Sequence, residues 1–334
     1  MNRQYRILVL TDHTGHSDQN SIYAILSQML SHQQCLSIDI ASRGLPENAL
    51  YFTGMQRNAL LVSPVTSDFR YTPAGDYYKH CLKKADARAY DLVLLRLPRP
   101  ISDEFLLWLE EVYAHATIVN APSGIIATST KQYLLEYPDL CPDIRLCHCV
   151  ADIEAEVSKY AVVLKPLREY GGRGLLKING DRLDDGTSVH NTTDYLRELE
   201  PAITKEGYLS MRYLKNVAQG DKRLLVVDGE VMAASLRLPA EGSWLCNVAQ
   251  GGKSVSAEVT PEEYNIVARL APDLRRKGIL ISGVDTLVND DGKRVLSEVN
   301  TLSIGGFPQA EAQTGRPIIK QTIDKIFEYA DVNG

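Results

Sequence analysis

Apolar residues in the first 120 positions fall into short runs separated by polar turns, and the runs alternate with segments of helical period. Tyr5–Leu10 reads as a strand. In Asn20–His32, Ile22, Ile25, Leu26, Met29 and Leu30 stand at i, i+3, i+4, i+7 and i+8, which predicts an amphipathic helix. Leu36–Ala41, Ala59–Val62 and Asp91–Arg96 read as further strands. Ser102 is placed to cap a helix reaching about Ala114, and Thr117–Asn120 is a short strand after it. Alternation of this kind predicts an α/β domain with a doubly wound parallel sheet.

The pattern changes near Ala121. Ser123 to Tyr137 has helical spacing and carries Lys131, and residues 161–165 form an apolar run ending in a lysine. A glycine-rich segment, a strand Leu175–Ile178 and a helix near Thr193–Leu199 complete a small α+β module. From about Lys215 the chain reads as antiparallel strands to Val248, a helix Pro261–Lys277 and a hairpin, closed by a helix Thr314–Tyr329. The expected organisation is an N-terminal domain, 1–120, a central module, 121–213, and a C-terminal module, 214–334, the last two α+β and clamping a ligand between them.

The hairpin carries the most chemistry. Gly283-Val-Asp-Thr-Leu-Val and Val295-Leu-Ser-Glu-Val-Asn300 flank a polar turn, and Glu298 and Asn300, two apart on a strand, face one side with Asp285 as a third oxygen donor. Such a set in apolar surroundings suits a hard cation, Mg²⁺ or Mn²⁺, whose remaining positions are filled by phosphate oxygens and water. Upstream lie groups that handle phosphates: Lys165, the loop Gly171-Gly172-Arg173-Gly174, Asp221, Arg223 and Arg237 around a hairpin, and Asn247 in the loop beyond. No single group is specific, but in this order they read as a nucleoside triphosphate site.

Composition narrows the classes. The chain has 334 residues, 44% of them hydrophobic, and a formal net charge of −6 without charge blocks, which disfavours a nucleic-acid partner. The apolar run at the N-terminus is too short for a signal peptide, and no stretch approaches a membrane span, so a cytoplasmic protein without a membrane partner is expected. The turn Thr11-Asp-His-Thr-Gly-His-Ser lacks the glycine triplet of a dinucleotide site, and Gly252-Lys-Ser254 lacks the earlier glycine of a P-loop. Ligands of open α/β sheets sit at the carboxyl ends of strands, which makes Asp12, and after it His13 and His16, candidates to touch a substrate. Cys141 and Cys147-His148-Cys149 do not have zinc-knuckle spacing and read as structural thiols.

Lys-Pro-Leu-x-x-x-Gly-Gly-x-Gly from Lys165, Gly-Asp-Lys-Arg-x-Leu-Val-Val-Asp-Gly-Glu from Gly220, Asn-x-Ala-x-Gly-Gly from Asn247, Gly-x-Asp and Glu-Val-Asn resemble the ATP-grasp ligases, most closely the bacterial glutathione synthetases. The resemblance covers roughly residues 117–301. It implies an ATP-dependent ligase that joins a small carboxylate to an amine through an acyl phosphate, γ-glutamylcysteine and glycine being the expected pair. It implies ATP phosphates on Lys131, Lys165 and the 171–174 loop, adenine along the hinge at Tyr213 and Leu214, and support from Asp221. Arg223, Arg237 and Asn247 would serve the γ-phosphate and acyl phosphate, Asp285, Glu298 and Asn300 the cation, and the loop 240–254 would close over the intermediate. A dimer or tetramer is the expected assembly. After Asn300 the family usually has a turn containing Thr/Ser-Pro, whereas this chain reads Thr301-Leu-Ser-Ile-Gly-Gly-Phe-Pro. Ser303, Gly305 and Gly306 are therefore the substrate candidates there. A ligase for another amino acid, dipeptide or peptide tail, and a non-catalytic nucleotide-binding module, are the alternatives.

Strand parity adds one geometric expectation. A two-residue turn at Asp228-Gly229 sets Arg223 and Arg237 on opposite faces, with Lys222 beside Arg237. A three-residue turn with Gly229 left-handed as a bulge sets both arginines on one face, and this bulged turn is the expected form.

Overall fold

A computed structural model describes residues 3–169, 171–239, 244–245 and 253–334, with the side chain of Lys253 excepted. The first sheet contains β1 (Tyr5–Thr11), β2 (Cys35–Ser42), β3 (Leu61–Pro64), β4 (Lys83–Lys84), β5 (Leu92–Arg96) and β6 (Thr117–Val119) in the order β4-β3-β2-β1-β5-β6. The four strands β2, β1, β5 and β6 are parallel, but β3 runs antiparallel to β2 and β4 antiparallel to β3. The expected parallel sheet thus carries two antiparallel edge strands, because the link from β2 to β3 holds only a one-turn α-helix, Ala49–Phe52, with short 3₁₀ turns and no full crossover helix.

Both faces of this sheet are covered, which explains its continuous apolar strands. Ile7 and Val9 join Ile22, Leu26 and Met29 of the helix Ser21–Met29. Leu8 and Leu10 face the other way, toward Phe105 and Leu109 of the helix Asp103–Val112, whose Ser102 side chain accepts from the Phe105 N–H. The closing helix Ile318–Asn333 also packs on the first sheet: Phe327 is buried beside Tyr5, and the Tyr5 hydroxyl donates to Asp331 at 2.7 Å.

A second sheet contains β7 (Ile144–Cys147), β8 (Val162–Pro166), β9 (Leu176–Asn179), β10 (Arg182–Asp184), β11 (Val189–Asn191) and β12 (Tyr208–Arg212), in the order β11-β10-β9-β8-β12-β7. Its core is separate: Val162, Leu164, Ile178, Leu196 and Ile203 pack beneath the helices Val150–Val157 and Thr192–Glu206. The continuous helix expected for Ser123–Tyr137 is broken. An α-helix Pro122–Thr128 ends before Lys131, which opens a 3₁₀ segment Lys131–Glu136, and this tighter turn sends the lysine toward the second sheet.

The third sheet is antiparallel, with β13 (Asp221–Val227), β14 (Glu230–Leu238), β15 (Lys253–Ser256), β16 (Ile281–Val288) and β17 (Arg294–Asn300) in the order β15-β14-β13-β16-β17. The helix Pro261–Arg276 covers one face; Thr260 and Glu263 form its capping box. Asn120, just after β6, ties this sheet to the first. Its amide donates to the carbonyls of Ile281 and Thr301, both at 2.7 Å, and its oxygen accepts from Leu280 and Ile281 N–H, both at 2.9 Å. A helix Phe307–Thr314 precedes the closing helix, which begins at Ile318 rather than Thr314, because Gly315 is left-handed and Pro317 follows.

Candidate active site

The hairpin between β13 and β14 corrects the expected turn. Asp228 (φ 50°) and Gly229 (φ 75°) form a two-residue turn, with Val227 opposite Glu230 and Val226 opposite Val231. The left-handed Gly229 is there, but the bulge lies farther along, where Leu225 pairs with Ala233 and Met232 is the extra residue. From that point Arg223 stands opposite Ser235 and Asp221 opposite Arg237, so the two arginines share a face. Lys222 points the other way. It is buried, donates to Glu263 Oε2 at 2.8 Å and to the Glu258 carbonyl at 2.7 Å, and belongs to the helix-covered side of the sheet.

On the open side, Arg223 grips Asp285 of β16 with two hydrogen bonds, Nε to Oδ1 at 2.6 Å and Nη2 to Oδ2 at 2.5 Å. Arg237 Nη2 lies 2.9 Å from Asp285 Oδ2 and also donates to Asp221. Burial would raise the Asp285 carboxyl, but the two guanidiniums hold it well below the usual carboxylate range. Burial and the Asp285 charge instead push Asp221 up to about 6, against the pull of Arg237 and Arg223. Two orphaned buried atoms mark the place: Asp221 Oδ1 and Arg237 Nε have no hydrogen-bond partner. Buried polar atoms without partners, on facing residues of one strand pair, suit a polar ligand.

Asp285 pairs across the ladder with Glu298, and Gly283 with Asn300. Glu298 and Asn300 therefore share the face of Asp285, and Asn300 Nδ2 sits 3.3 Å from Asp285 Oδ2. A second bulge, at Ser297 between the Glu298 and Leu296 pairs, re-aims the strand and turns Ser297 toward the second sheet. There Lys165 Nζ donates to the Ser297 carbonyl at 3.2 Å and hydroxyl at 3.3 Å. Burial, and after it the charge of Lys131, lowers the Lys165 ammonium below its ordinary value, with Glu298 acting against them. Lys131 Nζ donates to the Glu169 carbonyl and lies 3.7 Å from Glu298 Oε1.

Both lysines line an open cleft of about 760 Å³ between the second and third sheets. Its polar side carries Gly172, Arg173, Asp221 and Glu298. Its apolar side carries Val163, Leu175, Met211, Tyr213, Leu214 and Leu287. Gly171, Gly172 and Gly174 all have positive φ, so the loop takes a form closed to most side chains. At the hinge, Tyr213 N–H is taken by the Ala161 carbonyl at 2.8 Å, so the expected Tyr213 donor is engaged, and Lys177 Nζ lies 3.8 Å from the centre of the Tyr213 ring. Asn247, and with it Gly242, Gly251 and Gly252 of the expected lid, lies outside the described residues. Trp244 and Leu245 of that lid are described and line the cleft; the Trp244 indole N–H is buried and unpartnered. The sequence reading missed Trp244, for which a lone aromatic in a glycine-rich loop was the available signal.

A second open cavity, of about 1470 Å³, meets the first at Glu169 and Glu298 and runs to the carboxyl ends of β1 and β5. Asp12, Ser303 and Gly305 line it. Gly306 does not; its N–H donates to Ser21 Oγ at 3.0 Å, so it is not free to meet a substrate carboxylate. Asp12 is held by Arg43 at 2.8 Å and by Thr14, which keep its carboxyl below the usual range although burial opposes them. His16 also lines the cavity, while His13 stacks on Tyr78 at 4.6 Å. Arg43, Arg96, Arg99 and Arg168 line it as well, and none was foreseen as a site residue. For Arg96 the signal was present: it ends a strand at the carboxyl edge of the sheet.

Residues 130–315 match the family described as prokaryotic glutathione synthetase, ATP-grasp domain. The chain is 30% identical over 249 residues to the glutathione synthetase of Rhodopseudomonas palustris, covering 73% of this chain and 75% of that protein. It is 24% identical over 319 residues to the glutathione synthetase of Neisseria meningitidis serogroup A, covering 93% and 94%. Among solved structures it resembles a D-cycloserine synthetase, with TM-score 0.66 at 12% identity over 97% of this chain and 99% of that one. It also resembles the D-alanine–D-alanine ligase of Coxiella burnetii, with TM-score 0.58 at 13% identity over 99% and 96%. At such identities the structural likeness speaks for the fold alone.

Proposed function

Since this chain belongs to the prokaryotic glutathione synthetase family of ATP-grasp ligases, we propose that it joins γ-glutamylcysteine to glycine, converting ATP to ADP and phosphate. The observation that carries the reading is the single face on which Asp221, Arg223, Arg237, Asp285, Glu298 and Asn300 meet, at the junction of the cleft and the larger cavity. The nucleotide occupies the cleft, its adenine against Met211, Tyr213 and Leu214 and its phosphates near Lys131, Lys165 and the 171–174 loop. The carboxyl donor enters from the larger cavity.

One carboxylate oxygen of the donor attacks the γ-phosphorus, the bond to the bridging oxygen breaks, and ADP leaves. The amine nitrogen then attacks the acyl carbon, the carbon–oxygen bond to phosphate breaks, and the amine proton is lost. The first step brings an anionic nucleophile against the anionic γ-phosphate, so the site must be rich in fixed positive charge. Arg223 and Arg237 supply it with forked donors that suit phosphate oxygens better than lysine would. In the structure they share Asp285, with Arg237 also on Asp221, and they exchange these carboxylates for phosphate when nucleotide binds. The hard oxygen donors Asp285, Glu298 and Asn300 fit Mg²⁺, which when bound would offset charge between the β- and γ-phosphates. Asn247 orients the reacting groups, and the loop 240–254 excludes water from the acyl phosphate. A cytoplasmic setting suits the free thiols of Cys35, Cys81, Cys141, Cys147 and Cys149, and among the described residues no helix is long and apolar enough to cross a membrane. A homodimer or homotetramer is the assembly we propose.

A second reading keeps the chemistry and changes the substrates. The segment Thr301–Gly306, which lines the cavity through Gly305, departs from the turn usual in the family. ADP release measured over a panel of carboxylate and amine pairs decides between them. Turnover with γ-glutamylcysteine and glycine well above every other pair supports the first reading, and a different preferred pair replaces it.

A further inference from the structure

The larger cavity is lined by five arginines, and four of them have partners. Arg43 is paired with Asp12 and donates to the carbonyls of Pro98 and Pro100. Arg168 forms a two-pronged pair with Asp103, both contacts at 2.8 Å. Arg223 holds Asp285, and Arg99 donates to the Ser129 hydroxyl at 2.7 Å. Arg96 is the exception. Among the described residues no carboxylate lies within ion-pair distance of it, and its Nε is shielded from solvent without a hydrogen-bond partner. Burial alone lowers its pKa, to about 10, and its charge helps depress the neighbouring His16. Arg96 is half-buried with its Nε shielded, and a partly desolvated guanidinium that has no counter-charge favours an anion arriving with a ligand.

Its position says which ligand. Arg96 ends β5 and stands opposite Thr11, the last residue of β1. The strand order turns between these two, since β2 lies on one side of β1 and β5 on the other. That crevice is where open α/β sheets bind ligands. Two hydroxyls fix the Arg96 backbone: Thr11 Oγ1 donates to its carbonyl at 3.3 Å and Ser303 Oγ at 3.2 Å. The same cavity reaches Arg223, Glu298 and Asn300 on the third sheet. A donor whose reacting carboxyl lies beside Arg223 extends from there toward the first sheet.

We propose that Arg96 binds a second, non-reacting carboxylate on the carboxyl-donor substrate, and that the enzyme therefore selects dianionic donors. This rests on the ligase reading above. A forked guanidinium meets a carboxylate with two charge-assisted hydrogen bonds, and the loss of such contacts weakens binding about tenfold to a hundredfold.

The test is Arg96→Met, with Arg96→Lys beside it. ADP release is measured with γ-glutamylcysteine and with γ-aminobutyryl-cysteine, which lacks the α-carboxylate. For Arg96→Met, KM for γ-glutamylcysteine rises about tenfold to a hundredfold. KM for γ-aminobutyryl-cysteine, ATP and glycine stays near that of the parent, and Arg96→Lys recovers part of the loss. The ligand-free Met variant melts no lower than the parent, because the removed charge had no partner. An equal KM rise for both dipeptides, or a rise confined to glycine, overturns the proposal. So does a lowered melting point in the ligand-free Met variant. A further measurement does not depend on turnover: calorimetry of suberate, whose two carboxylates are spaced as in γ-glutamylcysteine, and of octanoate with the ADP-bound protein. The parent prefers suberate and Arg96→Met does not. Absence of that preference in the parent defeats the Arg96 assignment, whereas absence of turnover with γ-glutamylcysteine and glycine defeats only the substrate reading.

Discussion

Lys222 and Arg223 are neighbours with opposite orientations, and exchanging each for methionine separates a structural cation from a site cation. Lys222 is 5% exposed and Glu263 wholly buried, with 2.8 Å between Nζ and Oε2. Glu263 keeps Thr286 Oγ1 at 2.6 Å and the Thr260 N–H at 2.9 Å in Lys222→Met, but among the described residues only Arg294, at 3.9 Å, remains to face its charge. Breaking a buried pair on one side costs about 3–5 kcal/mol, and the remaining arginine places this case near the lower end, about 3 kcal/mol. At roughly 2–4 °C per kcal/mol, the melting point falls by about 6–12 °C. The kcat of folded Lys222→Met, assayed below that transition by ADP release, stays within about twofold of the parent. Arg223→Met reverses the pattern. Arg237 still neutralises Asp285, so stability changes less, while loss of a donor to the reacting phosphate lowers kcat by about 10²–10³. If Lys222→Met kept its melting point and lost kcat to that extent, the bulge at Met232 would not set the face, and Lys222 would be the phosphate ligand.

Asn120→Ala leaves two buried N–H groups and two carbonyls without their partner, which should cost about 3–5 kcal/mol in urea unfolding and speed amide exchange at Leu280 and Ile281; unchanged exchange there would contradict the tether. Glu298→Gln should raise the Mg²⁺ concentration needed for ADP formation while leaving the fold intact, and equal turnover at limiting Mg²⁺ would exclude Glu298 from cation binding. Burial depresses His16 from 6.5 to about 4, so between these values the unfolded chain binds a proton that the folded chain does not, and stability falls as pH drops through that window. His16→Gln should therefore lose less stability than the parent between pH 7.5 and pH 5; equal losses would refute this. Trp244 lines the cleft between the second and third sheets and Trp108 lies on a helix packed on the first sheet, so if the cleft takes ATP the nucleotide should change the intrinsic fluorescence, and Trp244→Phe should remove the change; a signal that survives the substitution would place its source elsewhere.

The elements were largely legible in the sequence, because each is a local pattern. The i, i+3, i+4 spacing of Ile22, Ile25 and Leu26 gives one buried helix face, and the side chain of Ser102 closes a helix start within three residues. Asp285, Glu298 and Asn300 were legible as a set because residues two apart on a strand must share a face. Parity also required a bulge if Arg223 and Arg237 were to meet. Where the extra residue sits was decided by tertiary packing: Asp228 and Gly229 both accept left-handed backbone and make the two-residue turn, and the bulge moved to Met232, whose side chain is buried in the core of the first sheet. Pairing over distance was not in the sequence at all. Nothing local says that Asn120 will grip Leu280, Ile281 and Thr301, that Tyr5 will meet Phe327 and Asp331, or that Arg96 will be left without an anion among five arginines. A periodicity reports which face of an element is buried; which charges then lie opposite one another depends on how three sheets are joined, and only the folded chain fixes that.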